Sequence, residues 1–154
     1  GNFSTSPEDL SILEEIPTFM LCCPFMKMEK IKIRETSKTP SVSFDPEHGL
    51  FELRGKSIPE NSNGFYTPLL QYVEKYGTRP AERTVLSVKF EFFNTSSSNR
   101  IHALFKRFER ISLAEGDVLI RWYCEKGDES MRDAGRDFKA ILQVPFEIIE
   151  VDEL

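Results

Sequence analysis

The stretch KFEFFNTSSSNRIHALFKRF, Lys89 to Phe108, changes its hydrophobic period in the middle. Leu86, Val88, Phe90 and Phe92 alternate with Ser87, Lys89 and Glu91, the two-residue repeat of a strand with one wet face. Beyond Ser98, Ile101, Leu104, Phe105, Phe108 and Ile111 recur at helical spacing, opposed by Arg100, Lys106, Arg107, Glu109 and Arg110. A strand that runs directly into a helix is half of a βαβ unit, so this stretch points to an α/β fold. Between the two patterns stands Asn94-Thr95-Ser96-Ser97-Ser98, which holds more hydroxyls than a single helix cap requires.

Working outward, Ile31–Arg34, Ser41–Phe44 and Leu50–Arg54 alternate as half-buried strands, and Asp45-Pro46-Glu47-His48-Gly49 has the chemistry of a hairpin turn. Phe65, Leu69, Tyr72, Val73 and Tyr76 mark a helix with Pro68 in its first turn and Gly77 at its C-cap. Val118–Cys124 reads as a strand; Met131, Ala134, Phe138, Ile141 and Leu142 read as a third helix, and Phe146–Val151 as a last strand. The predicted order is β-β-β-α-β-α-β-α-β, an N-terminal hairpin followed by alternating units. Right-handed crossovers then give parallel pairing in the second half. Alternation in the Thr84–Phe93 strand places the helices mainly on one face of a mixed sheet, because strands covered on both faces read as continuous apolar runs.

The 154 residues are 40% hydrophobic and 29% charged, the composition of one globular domain. A net charge of -5 disfavours general nucleic-acid binding. Cys22, Cys23 and Cys124 are too few and badly placed for a disulfide framework, and with His48 and His102 they show no zinc-ligand spacing. Neither a metal nor a cofactor is expected, and the reading is of a cytoplasmic protein. The apolar run Ile16–Met26 is short and broken by prolines, so no membrane span is expected. Residues 1–28 read as an N-terminal extension, either a scar of a cleaved tag at Gly1 or a leader of unassigned role, and 29–154 as a single domain.

Three chemistries compete for the hydroxyl junction. The simplest is helix capping. The second is phosphorylation: a helix N-terminus has free N–H donors and the positive end of a dipole, which suit a phosphate on Thr95 or a neighbouring serine. The third is catalysis, for which His102 stands one to two turns beyond Ser98, although no nucleophile-elbow glycines surround the hydroxyls. Glu125, Asp128, Glu129 and Asp133 fit no metal-loop spacing, and Asp128 and Glu129 suit the first turn of a helix.

Several motifs stand together in order: Thr39-Pro40, Phe44-Asp45-Pro46, Gly55-Lys56-Ser57-Ile58-Pro59-Glu60-Asn61, Phe65-Tyr66-Thr67-Pro68-Leu69-Leu70 and Phe93-Asn94-Thr95-Ser96-Ser97. On these the chain, from about Lys30 to Val151, resembles the SiaC family of bacterial regulatory phosphoproteins. The resemblance implies a STAS-like sandwich, similar to anti-sigma-factor antagonists, with Thr95 as the phosphoacceptor. It further implies a histidine-kinase-like threonine kinase and a PP2C-type phosphatase as partners, and an unphosphorylated form that binds and activates a diguanylate cyclase. On that reading Asn94, Ser96 and Ser97 shape and cap the loop, while Ser57, Pro59, Glu60 and Asn61 form a partner surface beside it. The rival readings are a small-molecule-binding or catalytic domain using the same loop pocket, and a passive assembly domain.

Overall fold

Six strands make one sheet in which spatial order follows chain order: β1 (Ile31–Ile33), β2 (Ser41–Asp45), β3 (Leu50–Ser57), β4 (Arg83–Phe93), β5 (Asp117–Glu125) and β6 (Phe146–Val151). The computed structural model describes residues 28–154; the Ile16–Met26 run, the Cys22–Cys23 pair and all but Met28 of the expected extension lie outside them. β1, β2 and β3 pair antiparallel, and β3 to β6 pair parallel. The parallel connections carry α1 (Ser62–Tyr76), α2 (Thr95–Leu113) and α3 (Glu129–Ile141). Crossovers of one hand that step through a sheet in one direction leave every helix on one side. The buried faces of all three helices accordingly join a single core with the inward faces of the strands.

The core is aromatic at its centre. Trp122 of β5 is fully buried, and its ring meets Phe90, Phe93, Phe105, Phe138 and Phe146 with centroids 5.5–6.4 Å apart. The indole N–H is satisfied by donation to the Met131 carbonyl at 2.9 Å, which ties the start of α3 to the sheet. The opposite face is polar: Lys89 pairs with Glu52 at 2.9 Å and lies over the Tyr123 ring, and Arg121 faces Glu147 at 3.7 Å. This is the one-sided sheet that alternation predicts.

Two local expectations need correction. Phe92 does not join Leu86, Val88 and Phe90 on the core face; it is 54% exposed. Gly55 pairs with Phe90 and Lys56 with Phe92, so Glu91 is an extra residue in β4. A bulge of this kind reverses the facing of everything beyond it, and Phe93 turns inward instead. Pro68 is not in the first turn of α1 but is its seventh residue, because the helix starts at the Asn61 cap, ahead of the apolar stripe. Gly77 is the C-cap as expected, in right-handed conformation.

Candidate functional site

Parallel pairing brings the carboxyl ends of β3 and β4 side by side, with Ser57 opposite Phe93. Two loops therefore leave the same end of the sheet as neighbours: residues 58–61 run into α1, and Asn94 runs directly into α2. The Asn94 amide donates to the Ser57 carbonyl at 3.1 Å, and the Ile58 amide donates to the Lys38 carbonyl at 2.8 Å. The β1–β2 connection thus closes the same corner, with Lys38 reaching Glu60 at 3.1 Å across its surface.

At the head of α2, Asn94 is extended (φ -92°, ψ 176°) and its side chain accepts from the Ser97 amide at 2.9 Å. Ser96 donates its hydroxyl to the same Asn94 Oδ1 at 3.1 Å. The first intrahelical bond runs from the Ser98 amide to the Asn94 carbonyl. A helix start leaves four amides without intrahelical partners. Here the Asn94 amide is taken by Ser57 and the Ser97 amide by the cap, so those of Thr95 and Ser96 are left over among the described bonds. No acidic residue stands in this first turn.

The hydroxyls divide sharply by environment. Thr95 is exposed and its hydroxyl is in none of the loop's hydrogen bonds. Ser96 is exposed but engaged with Asn94. Ser98 is half-buried beside a groove. Ser97 is fully buried, accepting from the Ser57 hydroxyl at 2.8 Å, and Ser57 in turn lies 2.6 Å from the Tyr66 hydroxyl. The side chain of Ser97 is therefore not a cap, although its amide is capped. Of the four residues expected to form a partner surface, Glu60 and Asn61 are exposed, whereas Ser57 and Pro59 are buried and cannot meet a partner directly. Asn61 has a local role as well, accepting from the Gly64 amide at 3.0 Å to cap α1.

Tyr66 stands off the helical stripe read from the sequence and enters that reading only within the Phe65–Leu70 motif, yet it is fully buried. Burial pushes its hydroxyl up to about 12, so it stays protonated and serves as a donor. A groove of about 350 Å3 also escapes sequence reasoning; it runs between α2 and α3 and is lined by Phe93, Ser98, Asn99, His102, Phe138 and Ile141 among others. Thr95 shares a helical face by spacing with Ser98, Asn99 and His102, although it does not itself line the groove. The His102 ring stacks on Phe138 at 6.4 Å and 16°, and no hydrogen bond joins His102 to Ser98. A nucleophile–base pair is thus not assembled there. Of the acidic residues singled out in sequence, Asp128 caps α3 and Glu129 occupies its first turn.

Fold and junction together define a single-sheet α/β domain whose distinctive end is a hydroxyl-bearing strand-to-helix turn. Residues 33–151 match the SiaC family regulatory phosphoprotein, and the chain belongs to that family. It is similar to an uncharacterised protein of Pseudomonas aeruginosa (strain UCBPP-PA14), 27% identical over 129 residues that span 82% of this chain and all of that one. In structure it is similar to apo-SiaC of Pseudomonas aeruginosa, with a TM-score of 0.73 at 23% identity, covering 79% of this chain and 99% of the other. SiaC of that organism in complex with diguanylate cyclase SiaD, whose activator it is, gives a TM-score of 0.75 at the same identity and coverage. Among the described residues no helix is long and apolar enough to cross a membrane.

Proposed function

We propose that this chain is a non-enzymatic, cytoplasmic phosphoswitch in which Thr95 is the phosphoacceptor and the unphosphorylated form binds and activates a partner such as a diguanylate cyclase. The observation that carries the reading is the inequality of the hydroxyls at the head of α2. Thr95 alone is both exposed and unengaged, and it sits against two leading amides with no acidic neighbour in the turn. A phosphate there adds about -1.5 to -2 charges where the helix dipole and free N–H groups favour them. The charge changes the surface formed by Thr95, Glu60 and Asn61 without entering the core, as a change of partner requires. A histidine-kinase-like threonine kinase would add the group and a PP2C-type phosphatase remove it. The family membership and the fold shared with a cyclase activator support the output.

Mass spectrometry after incubation with ATP and the kinase tests the assignment, with one phosphate expected on the fragment containing Thr95. Thr95→Glu is expected to weaken binding to the cyclase by about tenfold or more, and Thr95→Ala to leave it intact. Equal binding by both variants would remove the switch. A second reading, a ligand pocket in the groove beside His102, is favoured by a lining that joins Phe93 and Ser98 of the junction to the aromatic Phe138 and the imidazole of His102. Thermal stabilisation by a metabolite in a protein that takes up no phosphate would bring it forward.

A further inference from the structure

Beneath the exposed junction lies a chain of three hydroxyls, Tyr66, Ser57 and Ser97, each 0% exposed and drawn from α1, β3 and α2. Its direction follows from counting protons. Ser57 has one hydroxyl hydrogen and gives it to Ser97 Oγ at 2.8 Å, so at the 2.6 Å contact Tyr66 is the donor and Ser57 the acceptor. In a dry setting an unpaired hydroxyl is costly, so the chain sets the distance between the end of β3, the second turn of α1 and the first turn of α2. Asn94 hangs between the same elements, bonded through its amide to the Ser57 carbonyl and through its side chain to the Ser97 amide.

We infer that the Tyr66–Ser57–Ser97 relay selects the phosphorylated residue: it withdraws Ser97 from the surface and holds the Asn94 cap so that Thr95 alone is presented. The inference rests on the phosphoswitch reading above. Tyr66 and Ser57 are then positioning residues that touch neither ATP nor the acceptor oxygen. Three of the four junction hydroxyls are chemically similar, and without the relay a kinase would meet a frayed turn offering Thr95, Ser96 and Ser97 together.

The test uses the full chain as wild type, Tyr66→Phe, Ser57→Ala and Ser97→Ala, with thermal melts to establish folding. Phenylalanine keeps the ring of Tyr66, and alanine at position 97 favours the helix, so at least these two should fold. Site-resolved mass spectrometry with the kinase then reads the share of phosphate on each hydroxyl. The relay predicts an initial rate at Thr95 lower by about tenfold. It also predicts phosphate on Ser96 in all three variants, and on Ser97 where that residue is kept. Amide exchange at positions 97 and 98, measured without kinase, should quicken. A role confined to stability would lower the melting temperature and leave the phosphate on Thr95 alone, and that result overturns the relay while sparing the switch. Absence of phosphate from wild-type Thr95 under an active kinase overturns the switch itself, and this inference with it.

Discussion

The two helix starts that follow β4 and β5 solve the same problem with different chemistry. At α3, Asp128 accepts from the Met131 amide at 3.1 Å and Glu129 stands in the first turn, so carboxylates meet the positive end of the dipole. At α2 the cap is the neutral Asn94, the first turn has no acid, and the residues that follow are hydroxyls. One start is electrostatically complete; the other leaves room for a charge. The contrast extends along α3, whose far end is held by another carboxylate, Glu109 of α2, which accepts from the Gln143 amide at 2.5 Å and pairs with Lys106. α3 is fixed by charge at both ends, whereas the head of α2 is fixed only by neutral hydrogen bonds.

The hardest way to disturb the fixed side is at Gly135, where α3 rests directly on the indole. A Cβ there would fall 2.5 Å from Trp122 Cδ1, and Trp122 is fully buried with no room to retreat. Overpacking of this kind costs up to about 3 kcal/mol. Alanine returns about 1 kcal/mol through helix propensity. Gly135→Ala should therefore destabilise by about 2 kcal/mol in denaturant unfolding. Because the strain lies on the α3 side, amide exchange at Ser97 and Ser98 should change less than exchange in α3. Equal loosening of both would mean that the two helix starts are not independent.

A smaller effect, with a pH signature, is expected at Glu109. The Lys106 ammonium and then the Gln143 amide hold its carboxyl below the ordinary value of 4.5. A carboxyl with a depressed folded-state value contributes stability that is complete above about pH 4.5 and lost as pH falls through the folded value. Glu109→Gln keeps an acceptor for Gln143 but loses the charge, at a cost of about 1 kcal/mol near neutrality. The gap in melting temperature between wild type and variant should close as pH drops below 4.5, and a gap independent of pH would show that charge is not what holds this end of α3.

Most of the fold was legible because its signals are local. Each strand and helix declares its period, and alternation in β4 foretold a sheet covered on one side. What was not legible depends on neighbours that sequence separates. A two-residue period carried through to Phe92 places it in the core, but a bulge interrupts that period, and the bulge exists only where β4 lies against Gly55, whose φ is +117°. Ser57 and Pro59 looked like surface because small polar and turn residues usually are. They are buried because the topology sets Tyr66 and Ser97 against the end of β3, 9 and 40 positions away from Ser57. The surplus of hydroxyls and the family motifs point to Thr95, but only the burial of Ser97, the partial burial of Ser98 and the engagement of Ser96 separate it from its neighbours.

The finest test exchanges the charges of the two caps. Asp128→Asn keeps a capping oxygen for the Met131 amide and removes only the interaction with the dipole, a loss of about 0.5 kcal/mol. Asn94→Asp does the reverse at α2: the Ser97 amide keeps its acceptor, the turn gains its missing negative charge, and stability should rise by about 0.5 kcal/mol. In a phosphorylated protein the sign at α2 should invert, because a carboxylate at Asn94 would stand beside the phosphate on Thr95 and compete for the same amides. Unfolding measurements on both variants at low and high salt would check this, since a dipole interaction at the surface fades as ionic strength rises. If Asn94→Asp is neutral at low salt while Asp128→Asn is not, then the head of α2 has no unmet demand for negative charge, and a switch at Thr95, as proposed, would have to work by repelling a partner instead of by settling a phosphate onto its own helix.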